Sequence, residues 1–274
     1  MSFEVVFAIA VVAGFVGAMS GMGGGVILVP ALTLLGVDIK HAIAVSMISV
    51  IATSSGSASA YVRDHITNLK VGMFLEMFTM AGALVGAAIT LVSGQRILFL
   101  LFGLVLLGSW IALFVRRRIG RGVAHQDGFS RWLELEGWYY DQARGQTIRY
   151  QGVRAYLGAP AMFAAGVTAG LLGIGAGALK VLIFDLVMGL PAKVSTTTSN
   201  LIIGVTALAG TSVYLAAGLI DPGLAAPVML GVLVGAFIGT RLLVRLSNRA
   251  VDRLFMVLLL IIGVQMIWRG LRGG

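Results

Sequence analysis

Charged side chains fall in a few short joints along this chain, and apolar runs fill the space between them. Residues 5–37 carry no charge, and uncharged or nearly uncharged runs follow at 42–62, 71–95, 97–115, 155–179, 194–220, 222–240 and 254–268. Polar joints separate most of them: Asp38-Ile39-Lys40-His41, Arg63-Asp64-His65, Gln95-Arg96 and Asp221-Pro222. A helix needs about 20 apolar residues to cross a bilayer, so the pattern predicts an all-α polytopic membrane protein. The last run has only 15 residues, but Arg253 and Arg269 at its ends can snorkel to the interfaces and extend it.

Two runs have the wrong length for simple crossings. Residues 5–37 number 33, and residues 155–188 number 34. A continuous helix of that size would be about 50 Å long against a hydrocarbon core of about 30 Å, and two full crossings would need about 40 residues. GMGGG lies at 21–25 in the first run, and GIGAG at 173–177 in the second. Each run is therefore predicted to be a helix broken at its glycines, as a tilted crossing or a re-entrant hairpin.

The two halves resemble each other. GFVGAMSGMGGG (14–25) matches GVTAGLLGIGAG (166–177) at an offset of 152, with Gly14, Gly21, Gly23 and Gly25 falling on Gly166, Gly173, Gly175 and Gly177. Downstream the offset becomes 153: Gly36 falls on Gly189, Lys40 on Lys193, Ser46 on Ser199 and Tyr61 on Tyr214. ALVGAAI (83–89) then matches VLVGAFI (232–238). Such duplications are common in secondary transporters, with the site at the repeat interface.

Charge divides the chain and orients it. Residues 116–154 hold eight arginines, four acidic residues, two of the four tryptophans and three of the six tyrosines. They form one hydrophilic loop between an N-terminal membrane repeat (1–115) and a C-terminal one (155–274). A short surface helix is expected around Trp132–Tyr140, with aromatics at the headgroup level. With this loop inside and both broken runs re-entrant, inside segments hold 15 Lys/Arg and outside segments four, with Lys180 left within the membrane. If the second broken run crosses once instead, the count is 12 against 7. The positive-inside rule favours the hairpins. Each repeat then has one hairpin and three transmembrane helices, so the repeats are inverted, the loop is cytoplasmic and both termini lie outside. MSFEVVFAIAVVAGF lacks a positive n-region and reads as the first membrane segment rather than a cleaved signal.

Composition narrows the function. The chain is 58% hydrophobic and 11% charged, with mean hydropathy +0.99, against about 25% charged residues in soluble domains. The net charge of +9 reflects basic cytoplasmic loops rather than nucleic-acid binding. With no cysteine and three scattered histidines, no metal or cofactor is expected. Neither a P-loop nor a compelling Ser/His/Asp set is present, so no enzyme activity is expected.

The remaining chemistry suits an anion. At a hairpin tip, the second half-helix starts inside the membrane with its positive dipole end and unpaired N–H groups exposed. Gly23, Gly24 and Gly25, with Gly175 and Gly177, would let a ligand approach that backbone, whereas Gly14, Gly17 and Gly21 have the small-xxx-small spacing of helix packing. KVSTTTSN (193–200) offers Thr196, Thr197, Thr198, Ser199 and Asn200; the first half offers Ser46, Ser49 and Thr53 on one helix face. These groups either hydrogen-bond an oxyanion or join helices. Lys180, which has Leu28 as its first-half counterpart, attracts an anion, pairs with Asp185 or snorkels. Glu76 either sits near the interface or carries a proton.

In order, spacing and duplication, these motifs resemble the sulfite exporter TauE/SafE family, also called the 4-toluene sulfonate uptake permeases. The resemblance covers nearly the whole chain and rests on GFVGAMSGMGGGVILVPAL (14–32), GLLGIGAG (170–177), KVSTTTSN (193–200) and the VGA signatures at 85–87 and 234–236. It implies a multi-pass inner-membrane transporter of small sulfur-containing anions such as sulfite, sulfoacetate or other organosulfonates. Members often have Thr-Ser where this chain has Val45-Ser46, which implies a differently shaped first-half site. Export by alternating access is the expected direction, because an inside-negative potential favours anion exit by about 2.3 kcal/mol per charge per 100 mV. An anion channel, or a carrier of another small solute, is the alternative. The expected partners are the anion and the lipid bilayer.

Overall fold

A computed structural model describes residues 2–20, 23–63, 67–116, 127–141, 146–243 and 248–272. The apolar runs become helices. The first run forms α1 (Phe3–Ser20) and α2 (Gly25–Leu34), followed by α3 (Ile39–Arg63), α4 (Leu69–Val92) and α5 (Gln95–Arg116). A small module follows, made of α6 (Gly128–Trp132) and the strands β1 (Glu136–Asp141) and β2 (Gln146–Gln151). The second half has α7 (Ala155–Leu172), α8 (Gly177–Leu182) running into a π-turn (Ile183–Val187), then α9 (Ala192–Ala216), α10 (Pro222–Leu243) and α11 (Asn248–Arg272). Among the described residues, α4, α5, α7, α9 and α10 contain stretches long and apolar enough to cross a membrane. The described residues are those of an α-helical membrane protein with a two-stranded antiparallel sheet between its halves.

Local chemistry sets the helix ends. The Asn68 side chain accepts from the Val71 amide at 3.0 Å and caps α4. Pro222 opens α10, where its missing N–H costs nothing. Lys40 reaches across from α3 to donate to the Leu91 carbonyl in the last turn of α4, at 2.7 Å, where a cation suits the helix dipole.

Close packing comes from glycine. Helix α1 lies along α10, α4 along α7, α5 along α11, and α3 against α9 at the centre. Lipid supplies no hydrophobic drive between helices, so small residues that let backbones touch supply van der Waals contact instead. A Cβ at Gly82 or Gly86 of α4 would strike the carbonyl oxygen of Phe163 or Val167 in α7. A Cβ at Gly235 or Gly239 of α10 would likewise strike that of Val11 or Phe15 in α1. The glycines of the two sets differ by 153 positions and their partners by 152, so the same contact between the halves occurs twice, with the halves exchanged.

The expected surface helix at Trp132–Tyr140 is instead a helix that ends at Trp132 and a strand from Glu136. In β1, Trp138 is exposed and Tyr139 buried, the period-two alternation of a strand, and Glu136 faces Gln151 across an antiparallel ladder. Bulky aromatics favour the pleated surface when a partner strand is nearby. The module is tied to the bundle: Asn68 Nδ2 donates to Tyr150 Oη (3.1 Å), Lys70 bonds Glu134 (2.5 Å), and the Val153 amide donates to the Met188 carbonyl (3.1 Å). Burial pushes the Tyr150 phenol above its ordinary pKa.

Candidate functional site

The two glycine breaks meet. Gly23 (φ +77) and Gly175 (φ +66) adopt left-handed backbone that disfavours side chains. Both pack on the same side chain, Val50 of α3, and Gly175 also touches Ile203 of α9. Gly25, at the start of α2, lies against the carbonyl of Gly173. Gly24 keeps a right-handed conformation beside Ala13. The short α8 gives way to the π-turn after six residues, so the second break leads into a less regular half-helix than the first.

A polar recess opens beside the first break. Gly17, Ala18 and Gly23 form one wall, Thr53 and Ser54 of α3 a second, and Asn200 and Ile203 of α9 a third. It is shallow, with room for about one water-sized group. Ser54 braces it by donating to the Asn200 backbone carbonyl (2.6 Å) and accepting from the Gly204 amide (3.1 Å). Of the residues expected to bind substrate, Gly23 and Asn200 line this recess, joined by Thr53.

The other expected hydroxyls bond to the backbone. Ser46 reaches the Gly173 carbonyl at 2.8 Å and so fastens α3 to the second break. Ser49 donates to Ser46 O (2.7 Å). Ser199 donates to Gly177 O (3.3 Å), fastening α9 to the start of α8. Thr198 accepts from the Asn68 amide (3.1 Å), and Thr197 bonds Lys193 O one turn back (3.0 Å). Thr196 is half-buried near the start of α9.

Lys180 neither snorkels nor sits at an open surface: it is fully buried. Its Nζ donates to Thr206 Oγ1 of α9 at 2.5 Å and lies 3.5 Å from Glu76 Oε2 of α4. Thr206 Oγ1 is 2.6 Å from Glu76 Oε1, and Thr79 Oγ1 is 2.6 Å from Glu76 Oε2. Glu76 is 5% exposed. Asp185, the other partner considered for Lys180, accepts from Ser195 at 2.7 Å. Sequence reading missed Ser54, Thr79 and Thr206. Thr79 stands three residues after Glu76, and Thr206 seven after Ser199, so each shares a helix face with a residue already singled out.

The family model for the sulfite exporter TauE/SafE matches residues 6–266, which takes in both breaks, the recess and the ion pair. The chain belongs to the TauE/SafE family. It is similar to the probable membrane transporter protein YunE of Bacillus subtilis (strain 168), at 25% identity over 279 residues and 99% of each chain. It is also similar to the probable membrane transporter protein YdhB of the same organism, at 26% identity over 238 residues, 86% of this chain and 87% of that one. No solved structure matches it. This TauE/SafE protein is accordingly an integral membrane transporter.

Proposed function

We propose that this TauE/SafE protein is a secondary transporter that exports small sulfur-containing anions, sulfite or organosulfonates such as sulfoacetate, by alternating access. The observation that carries the reading is the recess beside the first break. There a positive-φ glycine, the Thr53 and Ser54 side chains and the Asn200 amide line one recess. An amide and backbone N–H groups bond an oxyanion's oxygens without a full opposite charge, which keeps release fast. At the start of α2 the Ile27 and Leu28 amides bond the Gly24 carbonyl (3.2 and 3.0 Å), while the Gly25 and Val26 amides precede any carbonyl of their own helix that could bond them.

The halves act as inverted repeats, with α1–α2 and α7–α8 as re-entrant hairpins, the 116–154 loop cytoplasmic and both termini outside. The recurrence of the α1–α10 and α4–α7 glycine contacts at the repeat offset and the excess of Lys/Arg on the loop side support this arrangement. Alternating access then has one half rocking against the other about the α3–α9 contact.

The test is flux of labelled sulfite and C2 sulfonates into proteoliposomes, alongside a thermal-shift screen of sulfite, sulfoacetate, taurine, sulfate and acetate. Saturable flux with counterflow is expected, with stabilisation by sulfonates but not acetate. Counterflow separates a carrier from a channel. No saturable flux of any of these anions refutes the reading.

A further inference from the structure

We propose that Glu76 is a proton-binding site, and that the protein moves one proton with each anion through the Glu76–Lys180 pair. The inference rests on the transport reading above and extends it to the driving force.

The pair is buried and joins the two halves of the chain. Lys180 is in α8, one turn after Gly177; Glu76 is in α4, and Thr206 of α9 bridges them. Such a pair adds little stability over an apolar substitute, because both ions lose their water. Ionisable groups kept at membrane depth are therefore candidates for function.

Among the described residues, neither group forms another ion pair. On the helices packed around the pair, α4 otherwise carries Lys70, bonded to Glu134 at its exposed start. Helix α7 carries no charge. Asp185 of the π-turn accepts from Ser195. Helix α9 carries Lys193 in its first turn and Tyr214, which donates to Gly170 O. Arg96 and Arg116 stand at the two ends of α5, and Lys40, His41 and Arg63 near the ends of α3.

A proton on Glu76 neutralises the carboxylate and leaves Lys180 as a buried, uncompensated cation. An incoming anion supplies the missing charge. Conversely, an anion drawn to Lys180 releases the Glu76 carboxylate, which then takes a proton from water. Each binding event favours the other by the same factor. Thr79 and Thr206 fit both states, because a hydroxyl that donates to a carboxylate can rotate to accept from a carboxylic acid. The recess and the pair share neighbours: Gly175, five residues before Lys180, packs on Val50 as Gly23 of the recess does, and Asn200 of the recess and Thr206 of the pair both stand on α9. A monoanion carried with one proton crosses without net charge. The membrane potential then does no work on the pair, and the substrate and proton gradients together set the direction of net transport.

The experiment measures isethionate, a sulfonate that stays ionised, entering proteoliposomes that contain a pH-sensitive dye, with the potential clamped by potassium and valinomycin. Wild-type entry is expected to acidify the lumen by one proton per anion, at a rate independent of potential. Glu76→Gln is expected to move isethionate without acidification and more slowly when the interior is negative. Wild-type entry without acidification, or undiminished acidification by Glu76→Gln, overturns the proposal. The wild-type stoichiometry decides even if Glu76→Gln does not fold. In that case Thr206→Val, which keeps both charges, is expected to shift the pH profile of entry by about one unit, and an unshifted profile overturns the assignment to this cluster. Absence of counterflow for both isethionate and sulfite at every pH refutes the transport reading itself, and this proposal with it.

Discussion

Gly25 lies against the carbonyl oxygen of Gly173, so the two broken helices touch through backbone alone. Irregular backbone survives at membrane depth only where protein or water satisfies it. Here each break supports the other, with Ser46 holding the Gly173 carbonyl from α3. The contact places Val50 between the breaks and the recess beside them.

Replacing Gly25 with alanine drives a methyl group into that carbonyl. The expected loss is about 1–3 kcal/mol of stability, the usual cost of overpacking, with transport reduced further because the breaks must separate. Gly94→Ala is the control, since nothing lies within 4 Å of a Cβ there. Thermal melting and flux of the two variants check this; equal behaviour would remove the Gly25–Gly173 contact from the mechanism.

Asn200→Ala removes the amide from the recess. A hydrogen bond to a charged group is worth about 1.5–3 kcal/mol, so anion affinity is expected to fall roughly 10- to 150-fold. Its backbone carbonyl still accepts from Ser54, so melting without anion should change little. Titration calorimetry with sulfonates measures the first effect. Unchanged affinity would place the anion elsewhere.

Glu76→Gln or Lys180→Met leaves one buried charge without its partner, at a cost of about 3–5 kcal/mol each. The double variant is expected to lose less than the sum, with a coupling of about 0.5–3 kcal/mol. Denaturation of all four proteins closes the cycle, and additive losses would mean that the charges do not interact.

Lys70 donates a hydrogen bond to Glu134 and adds its positive charge, holding that carboxyl below its ordinary value of 4.5. A carboxyl lowered in the folded state stabilises fully above its unfolded pKa and loses that contribution as pH falls through its folded pKa. The melting gap between wild type and Glu134→Gln is therefore expected to be constant between about pH 6 and 8 and to close in acid. Both side chains are exposed, so the gap is small. A gap that widens in acid would contradict the pairing.

Much of this was legible in the chain. Run lengths located both glycine breaks, because a membrane fixes how long a helix may be. The repeat offset anticipated recurring contacts, and Gly23 and Asn200 reached the recess. Glu76 was harder: it stands six residues after Lys70, a distance that places it near an interface only if the helix end is itself at one. Its partner lies 104 positions away on α8, and no local pattern announces a cross-helix ion pair. The hairpin at 136–151 was missed for the same reason, since the partner strand decides whether Trp138 and Tyr139 alternate faces or follow a helix.

The π-turn at Ile183–Val187 has a history written in the numbering. Between Gly25 and Gly36 the second half gains one position, because their counterparts are Gly177 and Gly189. A single residue added to an α-helix is accommodated as a wide π-turn, and the only π-turn among the described residues falls in that interval. The extra residue makes the two halves unequal within a turn of Lys180, whose first-half counterpart is Leu28.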